Sequence, residues 1–349
     1  MSKKIGFLVD TMTDFRYFTP LIMQINSLNE GHEFLLDLSA NRRKYNGLES
    51  NSNIKNWIIE NFLNYCTVTD SKVDCDIMFS IEAVQSVYER TTSNDGHSFN
   101  YKKHYAIQHG FDWIKSKWNL GYASPEYKKG RDYSKTCYMA HDELYANSIR
   151  EYGTPTVCPP IPVTSWNLLQ QLNYAKSLSA YNPDLIKPSY FSDDKLAVVF
   201  WPEANSDQNE AAEQIIDCLF QNGYKVIIKQ RRKHQNIPAK YKEIGFYDDV
   251  WFPSESIFFP HLANVCIGFD TSAYVDLVPV GVNFIDNCKT DIAKTYVRPI
   301  ESENFYLIEH SWKENTINLI NTKKFEKPKF NDQDYLFRIN NFLKTILEV

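Results

Sequence analysis

The chain has 349 residues, of which 43% are hydrophobic and 23% are charged, a composition typical of an ordinary globular protein. Its length exceeds that of one typical core, so two domains of roughly 150–200 residues are expected. The net charge of −5 argues against electrostatic binding of nucleic acid by the chain as a whole. Nucleic acid is therefore not expected as a partner.

The cysteine pattern and the hydropathy both predict a cytoplasmic protein. Seven cysteines are scattered without C-x-x-C spacing, so neither a zinc site nor a disulfide framework is expected. The first 15 residues reach Asp10 before the apolar core of a signal peptide forms. No apolar run approaches the roughly 18 residues of a membrane span.

Short apolar runs in the first half predict strands. These runs cover residues 4–10, 33–38, 76–81, 104–109, 137–141 and 154–159. The segments between them, such as 52–66, are long enough for crossover helices. Continuous apolar runs, without in–out alternation, favour parallel strands that are covered on both faces.

The second half repeats the pattern, with strands predicted at 196–201, 225–230, 264–269 and 282–286. After the first of these, Ser206 can cap a helix, and Gly223 is a natural residue to follow its end. The spacing places one set of apolar side chains on a single face of this helix: Ala211, Ala212, Ile215, Ile216, Leu219 and Phe220.

The whole pattern predicts an α/β fold with two Rossmann-like doubly wound domains that face a cleft. We expect a first domain over 1–165, a Pro-, Asp- and Ser-containing linker over 166–195, and a second domain over 196–330. Residues 331–349 have helical spacing, and this helix could pack across the two domains.

Polar residues follow several predicted strands, where ligands bind in open α/β sheets. The strand ending at Lys229 runs into Arg231, Arg232 and His234. These cations could clamp a diphosphate, although a solvated basic loop explains them equally simply. Asp270, Thr271 and Ser272 follow the strand 264–269 and are expected to start a helix, where backbone N–H groups bind anions. An ordinary helix cap is the alternative.

In the first domain, one strand ends at His109-Gly110. Glycine permits a close approach to the backbone, and a histidine that titrates near neutrality suits a general base. A purely structural histidine is the alternative.

These motifs, in this order, resemble those of the CDP-glycerol glycerophosphotransferases and related GT-B-fold polymerases of bacterial surface polysaccharides. "IQHGFDWIK" is similar to the family's W-H-G motif, with Gln108 in place of the aromatic residue and Lys115 nearby. "CPPIPVTSWN" matches the family's G-N-P segment loosely, and "VIIKQRRKH" is similar to its basic strand exit. The likeness spans roughly residues 100–290.

The last matching segment is "IGFDTSAYVDLVPVGVNFID", in which Thr271, Ser272 and Asp276 fall on positions of the family's D-Y-S-S…F-D motif. Two positions depart from the pattern. Phe269 stands where the motif has its first aspartate, with Asp270 one residue late, and His234 is displaced from the usual place in the basic exit. These departures leave the donor open.

The resemblance implies a transferase that moves a glycosyl or glycerol-phosphate group from a nucleotide-activated donor, CDP-glycerol-like as the first choice, to a hydroxyl of a glycan or lipid-linked glycan. A nucleotide-sugar glycosyltransferase and a non-catalytic glycan-binding module are the alternatives. The domain 1–165 would be on the acceptor side and the domain 196–330 would bind the nucleotide donor. His109 would be the base, with Gly110, Lys115, Asp276 and His310 as further cleft candidates. The donor phosphates would be held, without an obligatory metal or cofactor, by Lys229, Arg231, Arg232, Asp270, Thr271 and Ser272.

Two other segments are candidates for binding a metal or a membrane surface. Asp74-Cys75-Asp76 spells D-x-D, a metal motif of another glycosyltransferase fold, but it precedes a strand, so no metal is expected. The segment 111–135 holds six Lys or Arg residues against three acids, with Trp113 and Trp118 among them. It could contact anionic lipid head groups at the inner face of the membrane or an anionic acceptor glycan, or it could be a solvated loop.

Overall fold

The structure is a computed structural model in which the chain forms two compact units. The first comprises Met1–Asn167 and Gln333–Val349, and the second comprises Leu168–Asp332. The structure describes residues 2–9, 14–37, 66–69, 73–81, 99–108, 135–141, 143–150, 155–181, 195–202, 206–230, 237–246, 255–288, 302–329 and 332–348.

The first unit is built on a seven-stranded sheet. Its elements are β1 (Lys4–Leu8), α1 (Phe15–Ser27), β2 (Glu33–Asp37), β3 (Cys66–Thr69), β4 (Val73–Ile81), β5 (Phe99–Ile107), β6 (Thr136–Met139), α2 (Glu143–Arg150) and β7 (Thr156–Val157). The strand order is β3-β2-β1-β4-β5-β6-β7, and every described pairing is parallel. This is the order of a doubly wound Rossmann sheet. Strands β1 to β3 are added towards one edge of the sheet, and β4 to β7 are added towards the other, so the strand order reverses between β1 and β4.

Aromatic side chains form one face of this sheet. Phe7, Phe79 and Tyr105 are in register on adjacent strands, and consecutive rings stack at 5.4 Å between centroids. Phe18 of α1 packs edge-on against Phe7 at 5.3 Å. Because these side chains are at most 1% exposed, the row is the centre of the first core.

The last helix, α8 (Asp332–Leu347), belongs to the first unit. Tyr105 Oη donates to Ile346 O at 2.9 Å, and Gln24 Nε2 donates to Asn340 Oδ1 at 2.7 Å. These bonds attach α8 to the aromatic face and to α1.

The second unit is built on a six-stranded sheet of order β10-β9-β8-β11-β12-β13, again parallel at every described pairing. Its order is the same Rossmann order, with the reversal between β8 and β11. Its elements are α3 (Leu168–Tyr181), β8 (Leu196–Phe200), α4 (Ser206–Gln221), β9 (Lys225–Lys229), β10 (Gly245–Phe246), α5 (Glu255–Leu262), β11 (Val265–Phe269), α6 (Tyr274–Leu277), β12 (Phe284–Asn287), β13 (Phe305–Ile308) and α7 (Trp312–Thr322).

The predicted βαβ unit of the second half is present. Helix α4 begins at Ser206, and Gly223 follows its end with φ +76°, the left-handed conformation that glycine adopts readily. Ala212, Ile215 and Leu219 are fully buried against the sheet. Phe220 is 44% exposed, so including it in the buried face was wrong: it lies at the margin of the apolar stripe.

Several elements differ from the predicted boundaries. Residues 66–69 form β3, whereas the sequence placed Cys66 at the end of a helix, and β10 and β13 were not predicted. Part of the predicted linker 166–195 is helix α3, which belongs to the second unit. Of the described helices, none is both long and apolar enough to cross a bilayer.

Candidate functional site

The carboxyl edge of the second sheet is where the sequence placed the donor site. The sheet order reverses between β8 and β11, and in doubly wound sheets this switch point opens a crevice beyond the carboxyl ends of the strands. Helix α4 follows β8 and therefore starts on one side of the switch point. The turn Asp270–Ser272 follows β11 and lies on the other side.

Asp270 has a left-handed backbone at this edge. Its φ is +50°, a left-handed conformation that costs a non-glycine residue on the order of 1–2 kcal/mol. Its carboxylate Oδ2 accepts a hydrogen bond from Gln208 Nε2 at 2.6 Å, and its backbone N–H donates to Asn287 O at 3.3 Å. The residue is therefore fixed from both α4 and β12.

The methyl group of Thr271 packs over Gly268, a position in β11 that has no side chain. A Cβ at Gly268 would overlap Thr271 Cγ2 and would lie 2.8 Å from Phe284 Cε1. The threonine methyl therefore occupies the space above the glycine. Its hydroxyl Oγ1 accepts from Ala273 N at 3.3 Å, which closes a short side-chain turn.

A short helix follows Asp270–Ser272, where the sequence predicted a helix start. Helix α6 has only four residues and continues as a 3₁₀ turn over 278–280, with Gly281 left-handed at its end. A helix this short contributes little dipole, and anion binding by the turn before it stays a prediction. Asp276 is buried within this turn.

Lys229 ends β9 in register with Phe200 of β8. Its side chain is buried, and its Nζ donates to Gln230 O at 2.9 Å. Strand spacings of about 4.8 Å place it roughly 10 Å from the chain at β11. Arg231, Arg232 and His234, the rest of the predicted clamp, lie outside the described residues, and their role stays a prediction.

In the first unit, the predicted base His109 and its neighbours Gly110 and Lys115 lie outside the described residues, as does nearly all of the basic segment 111–135. Gln108, which replaces the aromatic residue of the W-H-G motif, is fully buried. Its Oε1 accepts from His141 N at 3.0 Å and so joins the ends of β5 and β6.

His310 and the D-x-D motif have ordinary surroundings. His310 is exposed after β13, and its carbonyl accepts from Asn315 Nδ2 at 2.8 Å. Asp76 Oδ1 accepts from Lys102 Nζ at 2.6 Å, and Asp74 Oδ1 accepts from Asn100 Nδ2 at 3.0 Å. The hydrogen bond from Lys102 lowers the pKa of Asp76. Both carboxylates lie in the first half of β4 and bond across to β5.

Three residues of this edge were missed by the sequence reading. Gln208 contacts Asp270, as described above. Thr316 Oγ1 of α7 donates to Asn287 Oδ1 at 2.7 Å, and Asn287 Nδ2 donates to Gly268 O at 3.3 Å. Thr316 and Asn287 are fully buried. The available signal was the position of Asn287 at a strand end and of Gln208 in the first turn of a helix.

Comparison with known proteins gives the fold. No protein-family model matches the sequence, and a search of curated proteins finds no match. Among solved structures, the chain is similar to a Listeria monocytogenes protein assigned as a UDP-N-acetylglucosamine 2-epimerase, with 13% identity over 100% of this chain and 97% of that one, at a TM-score of 0.53. It is also similar to the UDP-GlcNAc 2-epimerase of Neisseria meningitidis, bound to UDP-GlcNAc, with 10% identity over 98% and 100% of the two chains, at a TM-score of 0.53.

At such identities the likeness is one of fold. Both structures match essentially the whole chain, which agrees with the Rossmann order found in each of the two sheets. The predicted fold class, an α/β protein with two Rossmann-like units of the GT-B-like type, is confirmed.

Proposed function

We propose that the protein is a GT-B-type glycosyltransferase that binds a nucleotide-activated donor at the carboxyl edge of its second sheet. The observation that carries the proposal is the switch point between β8 and β11, where a left-handed Asp270 is fixed by Gln208. A rigid turn of backbone N–H groups and hydroxyls at such a place suits a nucleotide phosphate.

Thr271, Ser272 and Lys229 are the described residues that we propose to contact the donor phosphates, with Arg231 and Arg232 supplying further positive charge. Asp270 is proposed to hold the turn, because a carboxylate repels phosphate oxygens. Fixed donors and cations stabilise negative charge on a departing nucleotide, so no metal is assigned an obligatory part. Turnover that disappears in EDTA and returns with a divalent cation would contradict this.

In the proposed reaction, an acceptor hydroxyl oxygen forms a bond to the anomeric carbon of the donor while the bond from that carbon to the phosphate oxygen breaks. The hydroxyl proton passes to His109, and the nucleotide leaves with the electron pair of the broken bond. Changing His109 to Ala should abolish transfer while donor binding survives. Unchanged turnover in this variant would rule out His109 as the base.

The donor is tested with a panel of nucleotide sugars linked to UDP, GDP and CMP, together with CDP-glycerol. Binding is read as thermal stabilisation of the protein, and transfer is read as nucleotide release that depends on an added glycan acceptor. We expect a nucleotide sugar to give both signals, since the two similar structures are named for one. A response to CDP-glycerol alone would favour glycerol-phosphate transfer, as the sequence motifs first suggested. Binding without turnover would favour a non-catalytic module.

Epimerisation is a second candidate function, because both similar structures are named UDP-GlcNAc 2-epimerases. The two reactions differ in their need for an acceptor. Incubation with UDP-GlcNAc alone, followed by proton NMR of the sugar, distinguishes them: a second sugar isomer in the absence of acceptor would indicate epimerisation and would overturn the transferase proposal.

A further inference from the structure

Gln208 occupies an unusual position for a glutamine. It is the third residue of α4 and lies in the first turn of a helix whose neighbouring Asp207 and Glu210 are exposed. Its side chain is only 3% exposed. Burying a primary amide is unfavourable unless it forms hydrogen bonds, so the contacts of this side chain decide why it is inside.

The contact of Gln208 crosses the switch point. Its Nε2 donates to Asp270 Oδ2 at 2.6 Å, and the two residues are 62 positions apart in the sequence. Gln208 lies on the helix that follows β8, and Asp270 lies in the turn that follows β11, so the bond joins the elements after the two strands between which the sheet order reverses. Hydrogen bonds to a charged group are shorter and stronger than those between neutral groups.

The bond reaches a residue with a left-handed backbone. The left-handed backbone of Asp270 is unfavourable by itself and persists only when its surroundings determine it. Asn287 O holds the N–H of Asp270, and Gln208 holds its carboxylate. The hydroxyl of Thr271 and the N–H of Ala273 then close the turn.

We propose that Gln208 is a positioning residue of the donor site, which by donating to Asp270 across the switch point holds the Asp270–Ser272 turn in the conformation that binds the donor phosphates. This inference rests on the proposed function of this edge. Gln208 acts through Asp270, and a role as a positioning residue predicts that its effect disappears when Asp270 is absent.

The experiment uses the full chain and four variants: Gln208→Ala, Asp270→Gly, the two combined, and Gln214→Ala as the control. Gln214 is matched because it lies on the same helix and also donates to a carboxylate, Glu210 Oε1 at 3.1 Å, but on the exposed side and within the helix. Glycine at 270 adopts the left-handed backbone without strain and lacks the carboxylate. Hydrogen exchange of the amides at 270–273 reports the turn, and titration with UDP, CDP and GDP reports nucleotide binding.

We expect Gln208→Ala to exchange these amides at least tenfold faster and to bind nucleotide about tenfold more weakly, the size of effect that loss of a hydrogen bond to a charged group produces. Gln214→Ala should match the wild type in both measurements. In the Asp270→Gly background, replacing Gln208 should change neither measurement further. Unchanged exchange in Gln208→Ala, or an equal loss of nucleotide affinity in both backgrounds, would overturn the inference.

The two proposals fail in distinguishable ways. If the wild type binds nucleotide and Gln208→Ala binds it equally well, the positioning role is wrong and the proposed function stands. If the wild type binds none of the nucleotides, the proposed function is wrong and the donor role of Gln208 is overturned with it. Hydrogen exchange would then still report whether the side chain fixes the turn.

Discussion

The two units share a strand order but place their buried polar groups differently. In the first sheet, His104 lies on the face opposite the aromatic row, where its Nε2 is 2.8 Å from Ser80 Oγ and its Nδ1 is 3.2 Å from Thr136 Oγ1. In the second sheet, the polar contacts lie at the carboxyl edge, where Gln208 contacts Asp270 and Asn287 contacts Thr316.

This difference separates a structural polar cluster in the first unit from the polar cluster at the proposed donor site. The three side chains of the His104 cluster are at most 5% exposed and satisfy one another, so they join β4, β5 and β6 without presenting a group to a ligand. The contacts at the second edge hold a turn that follows the last residue of a strand. Polar bonds therefore join strands in one unit and hold the turn of the proposed donor site in the other.

The largest expected effect comes from removing the imidazole of the first cluster. Changing His104 to Ala leaves a cavity and two buried hydroxyls without their shared partner, which should lower the free energy of unfolding of the first unit by about 3 kcal/mol. Nucleotide binding by the second unit should be unchanged. Native-state hydrogen exchange of the amides of β5 measures the first quantity, and titration with UDP measures the second.

Ser80→Ala is the matched control for this variant, because it removes one hydrogen bond and leaves the ring in place. Its cost should be about 1 kcal/mol. If His104→Ala weakened nucleotide binding as strongly as it lowered stability, the separation between a structural and a functional cluster would be wrong.

Acid should destabilise both units through buried neutral histidines. Burial lowers the pKa of His104 and of His261 to about 3. An unfolded histidine titrates near 6.5, so below that pH the unfolded chain binds a proton that the folded protein does not. Stability should therefore fall by roughly 1.4 kcal/mol per pH unit for each histidine as the pH drops from about 6.5 towards 3.

Hydrogen exchange at several pH values between about 7 and 5 checks this prediction, because the amides of each unit report on the histidines in that unit. Burial also lowers the pKa of His32 in the first unit, so after correction for the intrinsic exchange rate His104→Ala should reduce the pH dependence there, and in that unit only. His261 then serves as the internal control in the second unit. A slope in the first unit that the substitution left unchanged would assign the acid sensitivity to other groups.

The sequence predicted the parallel strands well because strands buried on both faces are continuous apolar runs. The run at 196–201 corresponds to β8 and the run at 264–269 to β11. It predicted β3, "CTVT", poorly, because two of its four residues are polar and a helical pattern precedes it. β13, "FYLI", is apolar enough but has only four residues, all of them half-buried.

The site was less predictable than the fold because its contacts join distant residues. Thr271 and Ser272 were proposed from their position after a strand, which is a local signal. The bond between Gln208 and Asp270 spans 62 residues and leaves no periodic trace in the sequence. The helix predicted after Ser272 is present but has only four α-helical residues, because Pro279 follows it and the chain there forms a 3₁₀ turn.

Adding a side chain at Gly268 of β11 should disturb only the carboxyl edge of the second sheet. Changing Gly268 to Ala forces a methyl group against Thr271 Cγ2 and the Phe284 ring, so the turn must move. We expect a loss of about 2 kcal/mol in the stability of the second unit and about tenfold weaker nucleotide binding. Urea denaturation measures the stability, and titration with UDP measures the nucleotide affinity.

Gly223→Ala provides the contrast, because nothing lies within 4 Å of a Cβ there and the cost is only the left-handed backbone at φ +76°. It should lose about 1 kcal/mol of stability with no change in nucleotide affinity. Equal effects of the two variants on affinity would mean that the turn above Gly268 is not part of the binding site.

The smallest effect should come from changing Thr316, which is linked to Asp270 indirectly, through Asn287. Thr316→Val keeps the shape of the side chain but removes the hydroxyl that donates to Asn287 Oδ1, leaving a buried amide oxygen with one partner fewer. We expect a loss of about 1 kcal/mol in stability and a few-fold loss of nucleotide affinity, because Asn287 holds the backbone of both Gly268 and Asp270. Thr322→Val on the same helix is the control, since its hydroxyl donates only to Asn318 O within the helix and is exposed. Equal nucleotide affinity in the two variants would mean that Thr316 does not support the proposed site and that the supporting contacts are limited to Gln208 and Asp270.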